Sequence, residues 1–67
     1  MPITLKAARV NNNLNQKEAA KQIGVSIYTL SNWENGKSFP SAKYIERITD
    51  VYHINYDDLI FLPRNYA

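Results

Sequence analysis

The sequence predicts an all-α fold in which five short helices form a single domain. Turn-forming residues are few, with two glycines and three prolines in 67 residues, and no β-hairpin signal is present. Between the turns, apolar residues recur at helical spacing behind Ser, Thr and Asn residues that suit helix starts. A chain of this length holds one domain, and without cysteine no disulfide stabilises it, so close helix packing or oligomerisation is expected.

The five helices begin and end at recognisable cap residues. They are predicted over residues 5–12, 16–23, 27–35, 42–52 and 56–61. Glu18 follows Asn15 by three residues, which is the spacing of a capping box, and Gly24 and Gly36 suit the left-handed residue that ends a helix. The predicted N-caps are Thr4, Asn15, Ser26, Ser41 and Asn55.

Helical spacing also predicts which side chains face the core. Trp33 lies three residues after Leu30, so we interpret it as a core residue and not as a base-stacking one. The predicted inward positions are Leu5, Ala8, Arg9, Ala19, Ala20, Ile23, Leu30, Trp33, Ile45, Ile48, Thr49, Tyr52, Leu59 and Ile60.

Charge is distributed unevenly along the chain. Residues 1–43 hold six basic and two acidic side chains, a net +4, whereas residues 44–67 hold two basic and four acidic ones, a net −2. The basic part suggests a polyanionic partner, and the alternative is an ordinary mixed surface. No run approaches the roughly 20 apolar residues of a membrane helix and no signal peptide is recognisable, so we expect no membrane partner and a cytoplasmic, nucleoid-associated location.

Residues 24–26 form a three-residue connection that begins with glycine, as in a helix-turn-helix. Two helices that cross near a right angle approach closely at the bend. Ala20 is small enough for that approach, Gly24 provides the backbone turn, and Val25 fills the angle between the helices.

With Leu30 and Trp33 inward, the opposite face of the third helix is polar but nearly uncharged. Such a face fits the major groove of DNA without burying an unpaired charge. Asn32 suits adenine, and Ile27 suits the methyl group of thymine. Solvated surface is the alternative interpretation of this face. The candidate base-reading residues are Ile27, Tyr28, Thr29, Ser31 and Asn32.

Contacts to the DNA backbone are expected from helix starts and from nearby lysines. The first amides of the second and third helices are free to bind anions. For any single lysine, exposure to solvent is the simpler explanation of its position. Only several lysines on one side of the domain would indicate a DNA-binding surface. The candidate backbone contacts are Gln16, Lys17, Ser26, Asn35, Lys37 and Lys43.

Several segments together resemble one family of DNA-binding proteins. They are LKAAR at 5–9, LNQKEAA at 14–20, IGVS at 23–26, LSNWENGK at 30–37, PS at 40–41 and NYDDL at 55–59. This order resembles the five-helix Cro and phage-repressor helix-turn-helix family, also called the xenobiotic-response-element family. The resemblance implies a compact lambda-repressor-like domain that regulates transcription, usually as a dimer on a two-fold operator.

The resemblance also implies roles for particular residues. Gln16, Asn35 and Lys37 would contact the DNA backbone, while Ile27, Tyr28 and Asn32 would read bases. Arg9 and Glu34 match a pair that forms a structural salt bridge between the first and third helices. The base-reading positions of the family often hold Gln, Arg or Lys; Ile27 and Tyr28 favour thymine methyl groups and aromatic packing over guanine.

No other chemistry stands out. His53 is the single histidine, too few for a metal site, and no catalytic constellation is recognisable, so we predict no metal, no cofactor, no small-molecule ligand and no enzyme activity. Residues 1–61 are interpreted as the DNA-binding domain. Residues 62–67 are a tail that fits a homodimer patch or folds back onto its own core. A protein-interaction module that neutralises a partner, as antitoxins do, is the alternative function.

Overall fold

The computed structural model describes residues 2–61, and they form a small helical domain. A two-residue strand, β1 (Ile3–Thr4), leads directly into the first helix, and a second strand, β2 (Leu59–Ile60), pairs with it in parallel with Ile3 opposite Leu59. The four helices are α1 (Leu5–Asn11), α2 (Gln16–Ile23), α3 (Ile27–Glu34) and α4 (Ala42–Tyr52). The predicted bounds are confirmed for α2 and α4, whereas α1 and α3 each end one residue earlier than predicted.

The fifth helix predicted over residues 56–61 is wrong. A single 3₁₀ turn at Tyr56–Asp58 is followed at once by β2, whose backbone pairs with β1 at the other end of the chain. Because side chains alternate across a strand, only Leu59 faces the core; Ile60, predicted inward, is 43% exposed. Asn55 precedes the turn without the predicted side-chain capping bond.

The local capping signals at the other helix starts are mostly confirmed. Thr4 Oγ1 accepts a hydrogen bond from the Ala7 amide at 3.1 Å, and Ser26 Oγ accepts one from the Thr29 amide at 3.1 Å. Asn15 and Glu18 form the reciprocal capping box at 2.7 and 3.0 Å. Ser41 is the N-cap of α4, as predicted, with extended backbone, but its side chain makes no capping hydrogen bond.

Helices end in left-handed residues at both predicted glycines and at two further positions. Gly24 has φ +92° and Gly36 has φ +75°, as expected. Asn13 and His53 also adopt positive φ, at 58° and 54°, although neither is a glycine. His53 is therefore the strained C-terminal cap of α4.

The core confirms most of the predicted inward face. Trp33 is only 5% exposed, and its ring centroid lies 5.8 Å from that of Tyr44 on α4. Ile45 and Thr49, also predicted inward, are only half-buried. Within residues 2–61 no helix has the length and apolar character needed to cross a membrane. The core residues are Leu5, Ala8, Ala19, Ala20, Ile23, Leu30, Trp33, Ile48, Tyr52 and Leu59.

Candidate nucleic-acid interface

Helices α2 and α3 are joined by the predicted three-residue turn. The Ala20 carbonyl accepts hydrogen bonds from both the Gly24 amide at 2.8 Å and the Val25 amide at 3.0 Å, which closes the end of α2. Ser26 then caps α3, and Val25 packs half-buried against the core beneath the bend. The two helices are thereby held as one helix-turn-helix unit.

The outer face of α3 presents uncharged side chains. Leu30 is fully buried on the inner side, so Tyr28 is 79% exposed and Ile27 and Asn32 are exposed as well. Within residues 2–61, the side chains of Tyr28 and Asn32 make no hydrogen bond, and both residues are exposed to solvent. These two residues are therefore available to a ligand without breaking an existing contact.

The other polar residues on α3 bond to one another along the helix. The hydroxyls of Ser26 and Thr29 lie 3.0 Å apart, and Asn35 Nδ2 donates to Ser31 Oγ at 3.3 Å. Thr29 and Ser31 are half-buried at the edge of the face. Each hydroxyl keeps further hydrogen-bonding capacity, because it is both a donor and a two-fold acceptor.

The residues proposed to contact the DNA backbone belong to α2, α4 and the turns that flank α3. Lys17 is exposed in the first turn of α2, and Lys37 is exposed just after α3. Lys43 Nζ lies 5.6 Å from the ring centroid of Tyr44. Within residues 2–61 none of these lysines forms an ion pair. Gln16 differs from them, because its Nε2 donates to Glu34 Oε1 at 3.0 Å.

A buried ionic network lies behind the face and links α1 to α3. Arg9 Nε donates to Glu34 Oε2 at 2.8 Å, and Arg9 Nη2 donates to Oε1 at 3.2 Å. Arg9 Nη1 also donates to the Leu14 carbonyl at 2.9 Å, so the loop before α2 joins the same network. Burial, with the Glu34 carboxylate nearby, raises the pKa of the Tyr52 hydroxyl to about 12, and Arg9 partly offsets this rise.

Sequence reasoning missed Arg47 on α4. Its Nη1 donates to the carbonyl of Ile23, the last residue of α2, at 3.2 Å, and its Cζ lies 5.5 Å from the ring centroid of Tyr44. The only available sequence signal was the i, i+3 spacing of Tyr44 and Arg47, which places them on one helix face. Nothing local indicated that this face meets the turn between α2 and α3.

An acidic surface lies along α4 and the 3₁₀ turn. A groove of about 610 Å³ runs between α4 and the 3₁₀ turn. Its lining includes Glu46, Asp50, Asp58 and His53 beside the half-buried Ile45. No group of three or more potential ligand side chains within the described part of the chain is placed to hold a metal ion.

A helix-turn-helix whose second helix presents an exposed face is the arrangement of a class of DNA-binding proteins. A family model described as "Helix-turn-helix" matches residues 5–59, and the chain belongs to this family, of the Cro/C1 type. The family consists of DNA-binding transcription regulators, which is not an enzyme class.

The chain is similar to regions of two longer bacterial proteins. Over 56 residues the chain is 32% identical to the HTH-type transcriptional activator BcrR of Enterococcus faecalis, and over 56 residues it is 34% identical to the antitoxin PezA of Streptococcus pneumoniae. Each match covers 84% of this chain but only 28% and 35% of those longer proteins.

An uncharacterised HTH-type transcriptional regulator of Methanocaldococcus jannaschii is 36% identical over 55 residues, which is 82% of this chain and 83% of that protein. No solved structure matches the chain significantly.

Proposed function

We propose that this protein is a sequence-specific repressor that inserts α3 into the major groove of a two-fold DNA operator. The observation that carries the proposal is the outer face of α3, where Tyr28 and Asn32 are exposed without hydrogen-bond partners in residues 2–61. Buried Leu30 and Trp33 orient that face outward. Occupying an operator blocks polymerase without further contacts, which makes repression the simplest outcome.

The base contacts follow from the chemistry of the exposed side chains. The Asn32 amide matches the N6 and N7 edge of adenine, and Ile27 matches a thymine methyl group. Tyr28 offers both a ring and a hydroxyl, while Thr29 and Ser31 bond several bases with their remaining hydroxyl capacity. We therefore expect an operator half-site rich in A·T pairs.

Contacts to the DNA backbone would fix the position of α3 in the major groove. Lys17, Lys37 and Lys43 are exposed and unpaired within the described residues, so each is available to a phosphate. The amides at the starts of α2 and α3, with the side chains of Gln16, Ser26 and Asn35, would add neutral contacts. The site of action would be nucleoid DNA in the cytoplasm.

A homodimer would place two copies of α3 in successive major grooves about 34 Å apart. In support, an aromatic cluster lies on the surface near the end of the described chain. The Phe61 ring centroid lies 4.6 Å from that of Phe39 and 6.2 Å from that of Tyr56. Phe39 and Tyr56 are each more than half exposed. Residues 62–67, predicted to contribute to the interface, lie outside the described residues.

Selection of bound sites from a random duplex pool tests the proposal. We expect enrichment of a two-fold symmetric sequence with A·T-rich half-sites about one helical turn apart. Phe39→Ser, which removes an exposed ring outside α3, should weaken binding to the symmetric site more than binding to one half-site. Failure to enrich any sequence would contradict sequence-specific recognition, and enrichment of single half-sites would contradict the dimer.

A second candidate is a protein-interaction module that neutralises a partner. It is supported by the similarity to the antitoxin PezA and by the acidic groove along α4. Sedimentation of the isolated chain separates the two candidates. A self-associating chain that binds its selected duplex favours the regulator, whereas a monomer that selects no duplex and requires a second protein favours the module.

A further inference from the structure

We propose that Arg47 positions α3 for base reading, an inference that rests on the proposed function. Arg47 lies on α4, outside the helix-turn-helix itself. Its Nη1 donates to the Ile23 carbonyl at 3.2 Å, and Ile23 is the residue immediately before the turn.

The bonded carbonyl is one that the helix itself leaves without a partner. The last four carbonyls of a helix have no intrahelical donor. At the end of α2, the Ala20 carbonyl accepts hydrogen bonds from the amides of Gly24 and Val25. The Ile23 carbonyl accepts one from Arg47 on α4. A cation is also favoured at a helix C-terminus by the helix dipole. Arg47 thus holds the point at which the chain leaves α2 toward α3.

A second route from Arg47 to α3 runs through the neighbouring rings of Tyr44 and Trp33. Its guanidinium carbon lies 5.5 Å from the Tyr44 ring centroid, and the Tyr44 ring lies 5.8 Å from that of Trp33 on α3. Trp33 is buried, so a change in the packing of Tyr44 is transmitted to the inner side of α3. The guanidinium therefore connects the turn before α3 with the core beneath it.

Gly24, the first residue of the turn, lies next to the Arg47 guanidinium. A Cβ atom at Gly24 would lie 2.7 Å from Arg47 Nη1, closer than two such atoms approach each other. The left-handed φ of +92° favours glycine there, whereas the guanidinium is the end of a flexible, exposed side chain that could shift to admit a Cβ. The turn and Arg47 thus occupy adjoining space.

An exposed arginine near DNA also suits a phosphate contact, and the two roles predict different binding data. A phosphate contact weakens specific and random duplexes alike and lowers the salt slope by about one when it is removed. Removing a positioning residue instead weakens binding to the specific duplex alone. A small rotation of α3 misplaces its hydrogen bonds to base edges, whereas contacts to the DNA phosphates tolerate such a rotation.

The experiment compares Arg47→Met with the matched variant Lys43→Met. Both cations lie over the Tyr44 ring, but only Arg47 donates to the last carbonyl of α2. For Arg47→Met we expect about a fivefold loss of affinity for the selected operator. Random-duplex affinity and the salt slope should stay unchanged, and Arg47→Lys, which retains a donor, should recover part of the loss. Lys43→Met should weaken both duplexes alike.

Hydrogen exchange of the free protein gives a readout that does not depend on DNA. In Arg47→Met the amides of residues 24–30 should exchange about fivefold faster than in Lys43→Met, while α1 is unchanged. An equal loss on both duplexes with a lower salt slope would make Arg47 a phosphate contact and overturn the proposal. Unchanged exchange at the turn would also overturn it. If the wild-type chain selects no operator, the proposed function fails, while the exchange data still test the role of Arg47 at the turn.

Discussion

Arg9 and Glu34 form a two-bonded ion pair in the interior, with Arg9 Nε 2.8 Å from Glu34 Oε2 and Nη2 3.2 Å from Oε1. The residues are 25 positions apart and connect α1 to the end of the proposed recognition helix. Leu14 and Gln16 complete the hydrogen bonding of the pair. Because the four residues of this network belong to different segments, the pair joins the N-terminal half of the domain to α3.

Removing one partner of this pair should be more harmful than removing both. Arg9→Met or Glu34→Leu alone should cost about 3–5 kcal/mol of unfolding free energy, because each leaves a buried charge unpaired. The double variant should recover at least half of that loss. Urea unfolding of the four proteins measures the cycle, and single variants as stable as the wild type would show that the pair is not buried in solution.

Tyr52 should make the protein sensitive to alkaline pH. Its hydroxyl is buried without a hydrogen-bond partner in residues 2–61, and its pKa is raised from 10.0 to about 12 in the folded protein. Below pH 10 both states are protonated and no stability is lost. Between pH 10 and 12 the unfolded state ionises first, so unfolding free energy falls by about 2–3 kcal/mol in total.

Tyr52→Phe is the matched control for this pH dependence. It should be as stable as the wild type at pH 7, because the lost hydroxyl had no partner. Above pH 10 the unfolding free energy of the wild type should fall below that of the variant. Parallel curves from pH 9 to 11.5 would show that Tyr52 ionises normally.

Truncating Trp33 tests the packing beneath the outer face of α3. Trp33→Ala should cost about 3–5 kcal/mol, which approaches the whole stability of so small a domain. Circular dichroism should show a largely unfolded chain, whereas Trp33→Phe, which keeps an aromatic ring beside Tyr44, should remain folded. A folded Ala variant deficient only in DNA binding would contradict the core assignment.

Asn32→Ala should reduce specificity. We expect a loss of roughly 1–3 kcal/mol on the selected operator and relaxed preference at one base pair. Competition binding against single-base operator variants measures both effects. An equal loss on random duplexes would make Asn32 a backbone contact.

Lys37→Ala should weaken binding to specific and random duplexes alike, in contrast to Asn32→Ala. If Lys37 contacts a phosphate as proposed, it supports all duplexes alike, so its removal should lower the salt slope by about one without changing base preference. Binding measured from low to moderate salt tests this expectation, and an unchanged slope would remove Lys37 from the footprint.

His53→Gly should stabilise the protein. His53 ends α4 at φ +54°, where a residue with Cβ is strained and glycine is not. Relief of strain, less the greater chain entropy of glycine, should raise unfolding free energy by about 0.5–1 kcal/mol. His53→Ala, which keeps a Cβ, should show no such gain in thermal unfolding; equal gains in both would assign the effect to the imidazole.

Features encoded within a few residues were predictable from the sequence. The capping box of Asn15 and Glu18 and the left-handed Gly24 depend on contacts inside one turn of helix. The inward positions of Leu30 and Trp33 follow from helical period alone. Together these set the orientation of α3 and hence which residues are candidates for reading DNA.

Only the tertiary structure decided the features that join distant segments. The backbone of Leu59 pairs with that of Ile3, 56 residues earlier, and this turned a predicted helix into a strand. Arg47 likewise reaches the Ile23 carbonyl from another helix. A backbone group or a long cationic side chain has many possible partners in the sequence, and only packing of the helices brings one of them within hydrogen-bonding distance.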